Sequence, residues 1–409
     1  MSGAALTRPR RYQLRKASLR LIESGHPWLF RGQLSSAAQV FRDGQWLALV
    51  GPDNRPVGSG IYEAEGAIAV RVLERSTRRP DAAWVEERVA AALARRAPLA
   101  GETDAFRAVH GESDGLPAVV VDVYGDTAVL MTYSAGAEAM GRVAAAHVRR
   151  RLGLRRVLWK PAHRRRSPGP AVGPRALCGD LPVGPLRVRE DGLDLWLDVA
   201  GGQKSGAYLD LRGLRRWIAG QELGGKRVLN LFAYTGWLGL AAERAGADIV
   251  CNVDSSQAAL DLAAVQGGSR QRFVVADVFE WLPGQARDSA DLFDLVIADP
   301  PPMTSRMTQV ERALSAYRRL YRAAAALVAP GGTVAACCCT SRIDERDFVA
   351  AVTAGLGPGF RLERRLPPEV DHPVGFLEAD YLKIVLFTRA PPQPGTAPSS
   401  DGRSGEAAT

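Results

Sequence analysis

The chain has 409 residues, 46% of them apolar, with 53 Lys and Arg against 44 Asp and Glu for a net charge of +9. That length allows two or three domains with proper cores. Its apolar runs are strand-length or broken by charge, which excludes a transmembrane helix, and five cysteines, three of them adjacent at 337–339, form no disulfide framework.

Residues 1–9 read as a loose tail, and MSGAALTRPRRYQLRKASLR has no apolar core of signal-peptide type, so a cytoplasmic protein is expected. Arg11 to Glu74 reads as strand and turn. Trp46–Val50 is apolar, a GPDN turn follows, and VGSGIY (57–62) and AIAVRVL (67–73) alternate in strand fashion. This gives a β-rich module over 10–78. Residues 1–80 hold 13 Lys/Arg and 6 Asp/Glu, and RRRLGLRRVLWKPAHRRR follows at 149–166. Guanidinium groups suit bidentate phosphate contacts, so a nucleic acid is the expected partner.

Asp81–Ala97 carries Trp84, Val85, Val89, Ala92 and Leu93 at helical spacing. Strands at 118–123 and 128–133, a helix at 138–152 and a strand at 156–159 complete an α+β middle domain of β-β-α-β-β type over 79–184, with a Pro/Gly-rich loop at 167–174. From 185 to 390 strand and helix alternate: strands at 273–276, 292–298, 333–339, 360–366 and 381–388, and helices at 311–327 and 345–356. That is α/β class, a parallel doubly wound sheet with a final antiparallel element. The tail, 391–409, is rich in Pro, Gly, Ser and Thr and reads as disordered.

The most informative stretch is KRVLNLFAYTGWLGLAAERAGADIVCNVD, Lys226 to Asp254. It has the length of a strand–loop–helix–strand crossover. Its loop offers backbone N–H groups and a helix N-terminus to a ligand. Asp254, 24 residues after Asn230, ends the second strand, where a carboxylate binds ribose hydroxyls. The loop lacks G-x-G-x-x-G and G-x-x-x-x-G-K-[ST], so nothing in it suits a pyrophosphate. A nucleoside cofactor without phosphates is expected, S-adenosylmethionine being the common one.

Ligands of open α/β sheets lie at the carboxyl ends of strands. The 233–236 loop, Asp254, Asp277 and Asp299 fall at such ends. Asp277 can accept from an adenine amino group while Val278 packs on the ring; it can equally cap a helix. Asp299-Pro300-Pro301 gives a stiff wall and an acid for a planar base. Cys337 and Cys339 share one strand face and Cys338 takes the other, so Cys339 emerges beside the crevice. A thiolate adding to cytosine carbon 6 would make carbon 5 nucleophilic. In KSGAYLDLR (204–212), Tyr208 can stack on cofactor or base, and Asp210 and Arg212 can orient them. No C-x-x-C pair exists and the five histidines are scattered, so no metal is expected.

The chain resembles bacterial S-adenosylmethionine-dependent large-subunit ribosomal RNA (cytosine-C5)-methyltransferases with an N-terminal PUA-like domain. The motifs are HPWLFRG (26–32), GESDGLPAVVVDVYGD (111–126), GQKSGAYLDLR (202–212), VLNLFAYTGW (228–237), VDSSQAALDLA (253–263), ADVFEWL (276–282), DPP (299–301) and DHPVGF (371–376). The resemblance implies a Rossmann-like class I methyltransferase domain. It implies that Phe232, Ala233, Tyr234 and Gly236 border the cofactor, with Asp254 on its ribose and Asp277 near its adenine; Asn230, Ser255 and Val278 are counted with the cofactor site. Tyr208, Asp210 and Asp299 are counted with the cofactor site as well, Asp299 also serving catalysis, and the resemblance implies that the cysteine matching Cys339 is the nucleophile, with Cys338 the alternative. Lys204, Arg212, Pro300, Pro301 and His372 fall on the substrate side. The implied partner is ribosomal RNA, with a homodimer left open. Two departures stand out: Pro302 replaces a Lys common after D-P-P, and CCCTS replaces an S-C-S-like pattern. Two rival readings remain at this point: methylation of another RNA base atom without a nucleophile, and a non-catalytic RNA-binding or ribosome-assembly protein.

Overall fold

The computed structural model describes residues 9–35, 40–78, 80–162, 173–288, 292–304 and 307–391. The expected tails, the 167–174 loop over its first six residues, and the end of the basic run at 163–166 lie outside the described residues.

The first sheet comprises β1 (Arg10–Gln13), β2 (Trp28–Phe30), β3 (Trp46–Val50), β4 (Pro56–Tyr62) and β5 (Ile68–Glu74), in the order β1-β3-β4-β5-β2. Tyr12, Leu29, Leu47, Leu49 and Val70 fill its core. A helix, α1 (Lys16–Glu23), follows β1 where strand and turn were expected. At eight residues it spans little more than two turns, and it buries only Ser18 and Ile22, so its apolar period is too short to stand out among strands.

Asp81 caps α2 (Ala82–Arg95), accepting from Trp84 N at 2.8 Å. The second sheet contains β6 (Ala105–His110), β7 (Val119–Tyr124), β8 (Thr127–Thr132), then, after α3 (Glu138–Leu152), β9 (Arg156–Pro161) and β10 (Arg175–Cys178). Their order is β10-β9-β8-β7-β6, so β6 adds a strand that the expected β-β-α-β-β pattern lacked. Every residue of β7 and β8 is buried. One face packs on α2 and α3 through Trp84, Val121 and Leu130; the other, through Tyr124, Val129 and Leu158, joins the core of the C-terminal sheet. Burial on both faces explains the largely apolar strands, interrupted in β7 by the buried Asp122, which Arg107 pairs. Each fully buried Val or Leu contributes about 1.5–3 kcal/mol.

A hairpin, β11 (Leu186–Glu190) and β12 (Leu193–Leu197), and a short helix, α4 (Arg212–Ala219), lead into the large sheet. That sheet is built from β13 (Arg227–Leu231), α5 (Trp237–Arg244), β14 (Ile249–Asp254), α6 (Gln257–Gln266), β15 (Gln271–Val275), α7 (Val278–Asp288), β16 (Phe293–Ala298), α8 (Val310–Ala325), β17 (Val328–Cys339), α9 (Glu345–Leu356), β18 (Phe360–Leu366) and β19 (Leu382–Arg389). The order β15-β14-β13-β16-β17-β19-β18 is parallel through β17, and β19 runs antiparallel to both neighbours. The sheet reverses direction of winding at β13 and β16, and a crevice opens there at the carboxyl ends.

Candidate active site

β13 ends at Leu231, and the chain turns through Phe232 (φ 60°), Tyr234 (φ 48°) and Gly236 (φ 75°). Left-handed backbone at two bulky residues is costly and collects at ligand sites. At Gly236 a Cβ would stand 2.8 Å from the Ala263 Cβ, so glycine is required. Asp254 braces this loop: its carboxylate accepts from Tyr234 N and Ser256 N, both at 2.8 Å. Each oxygen keeps a lone pair for a further donor. The Tyr234 hydroxyl accepts from Gln203 N at 2.9 Å, and the Tyr208 hydroxyl donates to Gln203 Oε1 at 2.7 Å. The two rings meet edge-on, 5.2 Å apart.

Beside this loop lies a cavity of about 370 Å³. Phe232, Ala233, Tyr234, Asp254, Ser255, Tyr208, Lys204, Asp299, Pro300, Pro301 and Cys339 all line it. Apolar walls with a few convergent polar groups suit a small-molecule site.

Cys339 closes β17. Cys337 and Cys338 are fully buried in the cores on opposite faces of the sheet, while Cys339 is half-buried and reaches the cavity. Its thiol donates to Asp299 Oδ1 at 3.3 Å. Burial first, then the Asp299 and Asp210 charges, push the Cys339 thiol well above its ordinary value. Burial also pushes Asp299 up to about 6, with Asp210 adding to it and the Cys339 hydrogen bond and Lys204 opposing. At rest the proton therefore stays on sulfur, aimed at the carboxylate by this hydrogen bond.

Other expected site residues stand elsewhere. Asn230 is buried in mid-strand and donates to Asn252 Oδ1 at 2.9 Å. Asp277 caps α7, accepting from Phe279 N at 2.8 Å, and Val278 is buried in the core beneath it. The neighbouring Phe279 is partly exposed, its ring 6.0 Å from that of Phe232. Gly236 shapes the loop from behind. Asp210 is buried and accepts from the Tyr381 hydroxyl at 2.6 Å. Burial alone would raise it, but Lys204, His372 and Tyr381 hold it well below the usual range.

Arg212 and His372 do not reach the cavity, contrary to expectation. Arg212 is fully buried, bidentate to Asp371 at 3.1 Å on both oxygens, and bonded to Glu190 at 3.0 Å and the Ala105 carbonyl at 2.7 Å. His372 is buried against Asp371 at 2.9 Å. Asp371 also accepts from Arg107 N at 2.9 Å, and its carbonyl from Arg96 at 3.1 Å. These residues form a polar seam between the second sheet and the large one. Sequence reading missed Gln203, Arg215, Trp237 and Tyr381, which also line the cavity. Gln203 and Trp237 stood inside quoted motifs; Tyr381 carries no local signal.

Among the described residues no group of three metal-ligating side chains occurs, and no helix is long and apolar enough to cross a membrane.

A family model described as S-adenosylmethionine-dependent methyltransferase matches residues 156–388, and one described as PUA-like domain matches 13–75. A ribosomal RNA large subunit methyltransferase of Deinococcus radiodurans is 34% identical, over 95% of this chain and 99% of that protein. Ribosomal RNA large subunit methyltransferase I of Shewanella amazonensis is 32% identical, over 91% and 98%. A solved structure from Streptococcus mutans, described as a proposed S-adenosylmethionine-dependent methyltransferase, superposes with a TM-score of 0.79 at 18% identity, covering 93% of this chain and all of that one. A second, of a proposed methyltransferase complexed with S-adenosylhomocysteine, gives 0.80 at 19% over the same shares. At these identities the two structures speak for the fold.

Proposed function

Since this chain belongs to the S-adenosylmethionine-dependent methyltransferase family, we propose that it methylates carbon 5 of a cytosine in large-subunit ribosomal RNA through a covalent Cys339 adduct. Support for the RNA comes from the names of the relatives and from the basic PUA-like module. Support for the chemistry comes from one observation: the Cys339 thiol donates to the Asp299 carboxylate within the cavity that the 232–236 loop borders. A methyltransferase acting on an already nucleophilic atom has no use for that pair.

The residues fit the cofactor. Phe232, Ala233, Tyr234 and Ser255 would hold it, and Asp254, whose oxygens each retain a lone pair, would take its ribose hydroxyls. When bound, S-adenosylmethionine supplies an electrophilic methyl group to carbon 5. Pro300 and Pro301 remove two N–H donors from the facing wall and stiffen it against the base. Asp299 takes the Cys339 proton, the thiolate adds to carbon 6, and Asp299 returns the proton to ring nitrogen 3, which leaves carbon 5 as an enamine carbon. Once carbon 5 is methylated, its proton and that on nitrogen 3 leave, the carbon 6–sulfur bond breaks, and Cys339 regains a proton.

The test is RNA carrying 5-fluorocytosine, whose carbon 5 cannot release fluorine as a cation. Wild type gives a protein–RNA adduct stable to denaturant, and Cys339→Ala gives none and no methyl transfer, while calorimetry finds its S-adenosylmethionine affinity unchanged. Full methyl transfer by Cys339→Ala would overturn the assignment.

A further inference from the structure

A second cavity of about 370 Å³ lies across Lys204 and Tyr381 from the first; both residues line both cavities. Three of the quoted motifs, HPWLFRG, GESDG and DHPVGF, leave the catalytic cavity untouched and meet here. They supply Trp28 at the start of β2, Glu112 after β6, and Phe376 in the loop before β19.

The lining is aromatic. Trp28 and Phe376 pack edge-to-face with ring centroids 4.8 Å apart, and Tyr133 is 42% exposed beside them. The cations at its rim are spent: Arg71 pairs with Glu63 and Glu112, and Arg107 is bidentate to Asp122 at 2.7 and 3.0 Å. That argues against a phosphate inside.

Glu112 and His110 are two polar groups of the lining with capacity to spare. Glu112 uses one oxygen for Trp28 Nε1, at 2.8 Å, and for Arg71; the other has no hydrogen bond among the described residues. His110 Nδ1 stands 3.2 Å from Arg107 Nη1. A guanidinium only donates, so Nδ1 accepts and the neutral ring carries its proton on Nε2. Burial first, then Arg107 and His372, hold His110 far below its ordinary range, which keeps the ring neutral. From these two residues the cavity has an acceptor and a donor beside aromatic faces. An unpaired nucleobase has the complement: a π-face, and an edge on which a donor adjoins an acceptor. On the ridge between the cavities, Lys204 is exposed, with no carboxylate within ion-pair distance among the described residues. It is placed for the phosphate joining two nucleotides.

We propose that this interdomain cavity seats the nucleobase adjacent to the target nucleotide, splayed away from it over Lys204. The inference rests on the reading of the substrate as RNA.

Single-stranded RNA oligonucleotides with 2-aminopurine on either side of a cytosine test it by fluorescence. Phe376 and Tyr133 are only partly buried, so Phe376→Ala and Tyr133→Ala leave the cores intact. Wild type quenches the probe at one of the two positions; both variants lose that quenching, and calorimetry finds S-adenosylmethionine affinity unchanged. An abasic residue at that position raises wild-type KM by roughly tenfold, about one stacking contact, and adds nothing in Phe376→Ala. Quenching that survives in both variants, or no quenching at either position, overturns the proposal. Penalties that multiply between Phe376→Ala and the abasic site overturn it too. If no RNA is methylated by wild type, the parent reading fails, and the quenching alone decides the cavity.

Discussion

Two regions of this molecule hold the same kinds of residue in opposite states. In the seam around Arg212, charges are buried and paired, though His372 Nε2 lacks a partner among the described residues: Arg212 meets Glu190, Asp371 and a carbonyl, and Arg96 and Arg107 close the network. In the cavity around Asp299 and Cys339, charges are half-buried and under-partnered, and the backbone at Phe232 and Tyr234 is strained. The seam spends its electrostatics on joining two sheets. The cavity keeps its own in reserve for a ligand. Polar residues in a distinctive motif announce either outcome, and partner saturation separates the two.

Breaking the seam gives the largest effect expected on folding. Arg212→Ala strips Asp371 of its bidentate cation, while Glu190 keeps Arg215, which costs about 3–5 kcal/mol for a buried pair. Thermal unfolding should show it as a large drop in Tm, with S-adenosylmethionine affinity of the folded protein little changed. A variant that kept its Tm and lost cofactor binding would move Arg212 to the site. The converse substitution is Asp254→Asn, which removes the charge and leaves one oxygen to accept from Tyr234 N or Ser256 N, the amide NH2 taking the place of the other acceptor. A hydrogen bond to a charged group exceeds a neutral one by roughly 1–1.5 kcal/mol, so cofactor affinity should fall roughly tenfold. Calorimetric titration measures it, with Tm expected to fall far less than in Arg212→Ala.

This contrast also explains what sequence could and could not supply. Strands β13, β14 and β16 were legible because parallel strands buried on both faces are continuous apolar runs, and their ends carried Asp254 and Asp299. Cys339 was legible because strand alternation puts it on the face opposite Cys338, whichever way the sheet lies. The roles of Arg212 and His372 were not legible. Their partner Asp371 lies 159 positions from Arg212, and no local pattern distinguishes a guanidinium aimed at substrate from one aimed across a domain junction. Tyr381 reaches the cavity only because β19 inserts between β17 and β18.

The subtlest expected effect sharpens the comparison from the cavity side. A site that reserves its charge should lower stability, whereas the seam should not. Asp299 is held up at about 6, chiefly by burial, against about 3.9 when unfolded. Between those two values the folded state binds the proton and the unfolded state does not. Stability contributed by this group is therefore full below pH 4 and lost as pH rises through 6. Asp299 is half-buried and lines the cavity, so solvent screening reduces the cost to about 1 kcal/mol. Asp299→Asn cannot ionise. Its Tm should exceed that of wild type at pH 8 by a few degrees, and the difference should shrink towards zero as pH falls below 4. The same carboxylate must be ionised to accept the Cys339 proton, so wild-type methyl transfer should show an acid limb near pH 6 that the variant, largely inactive, cannot show. A Tm difference constant from pH 4 to 8 would mean that the carboxylate is not strained by its surroundings, and the cavity would then be as saturated as the seam.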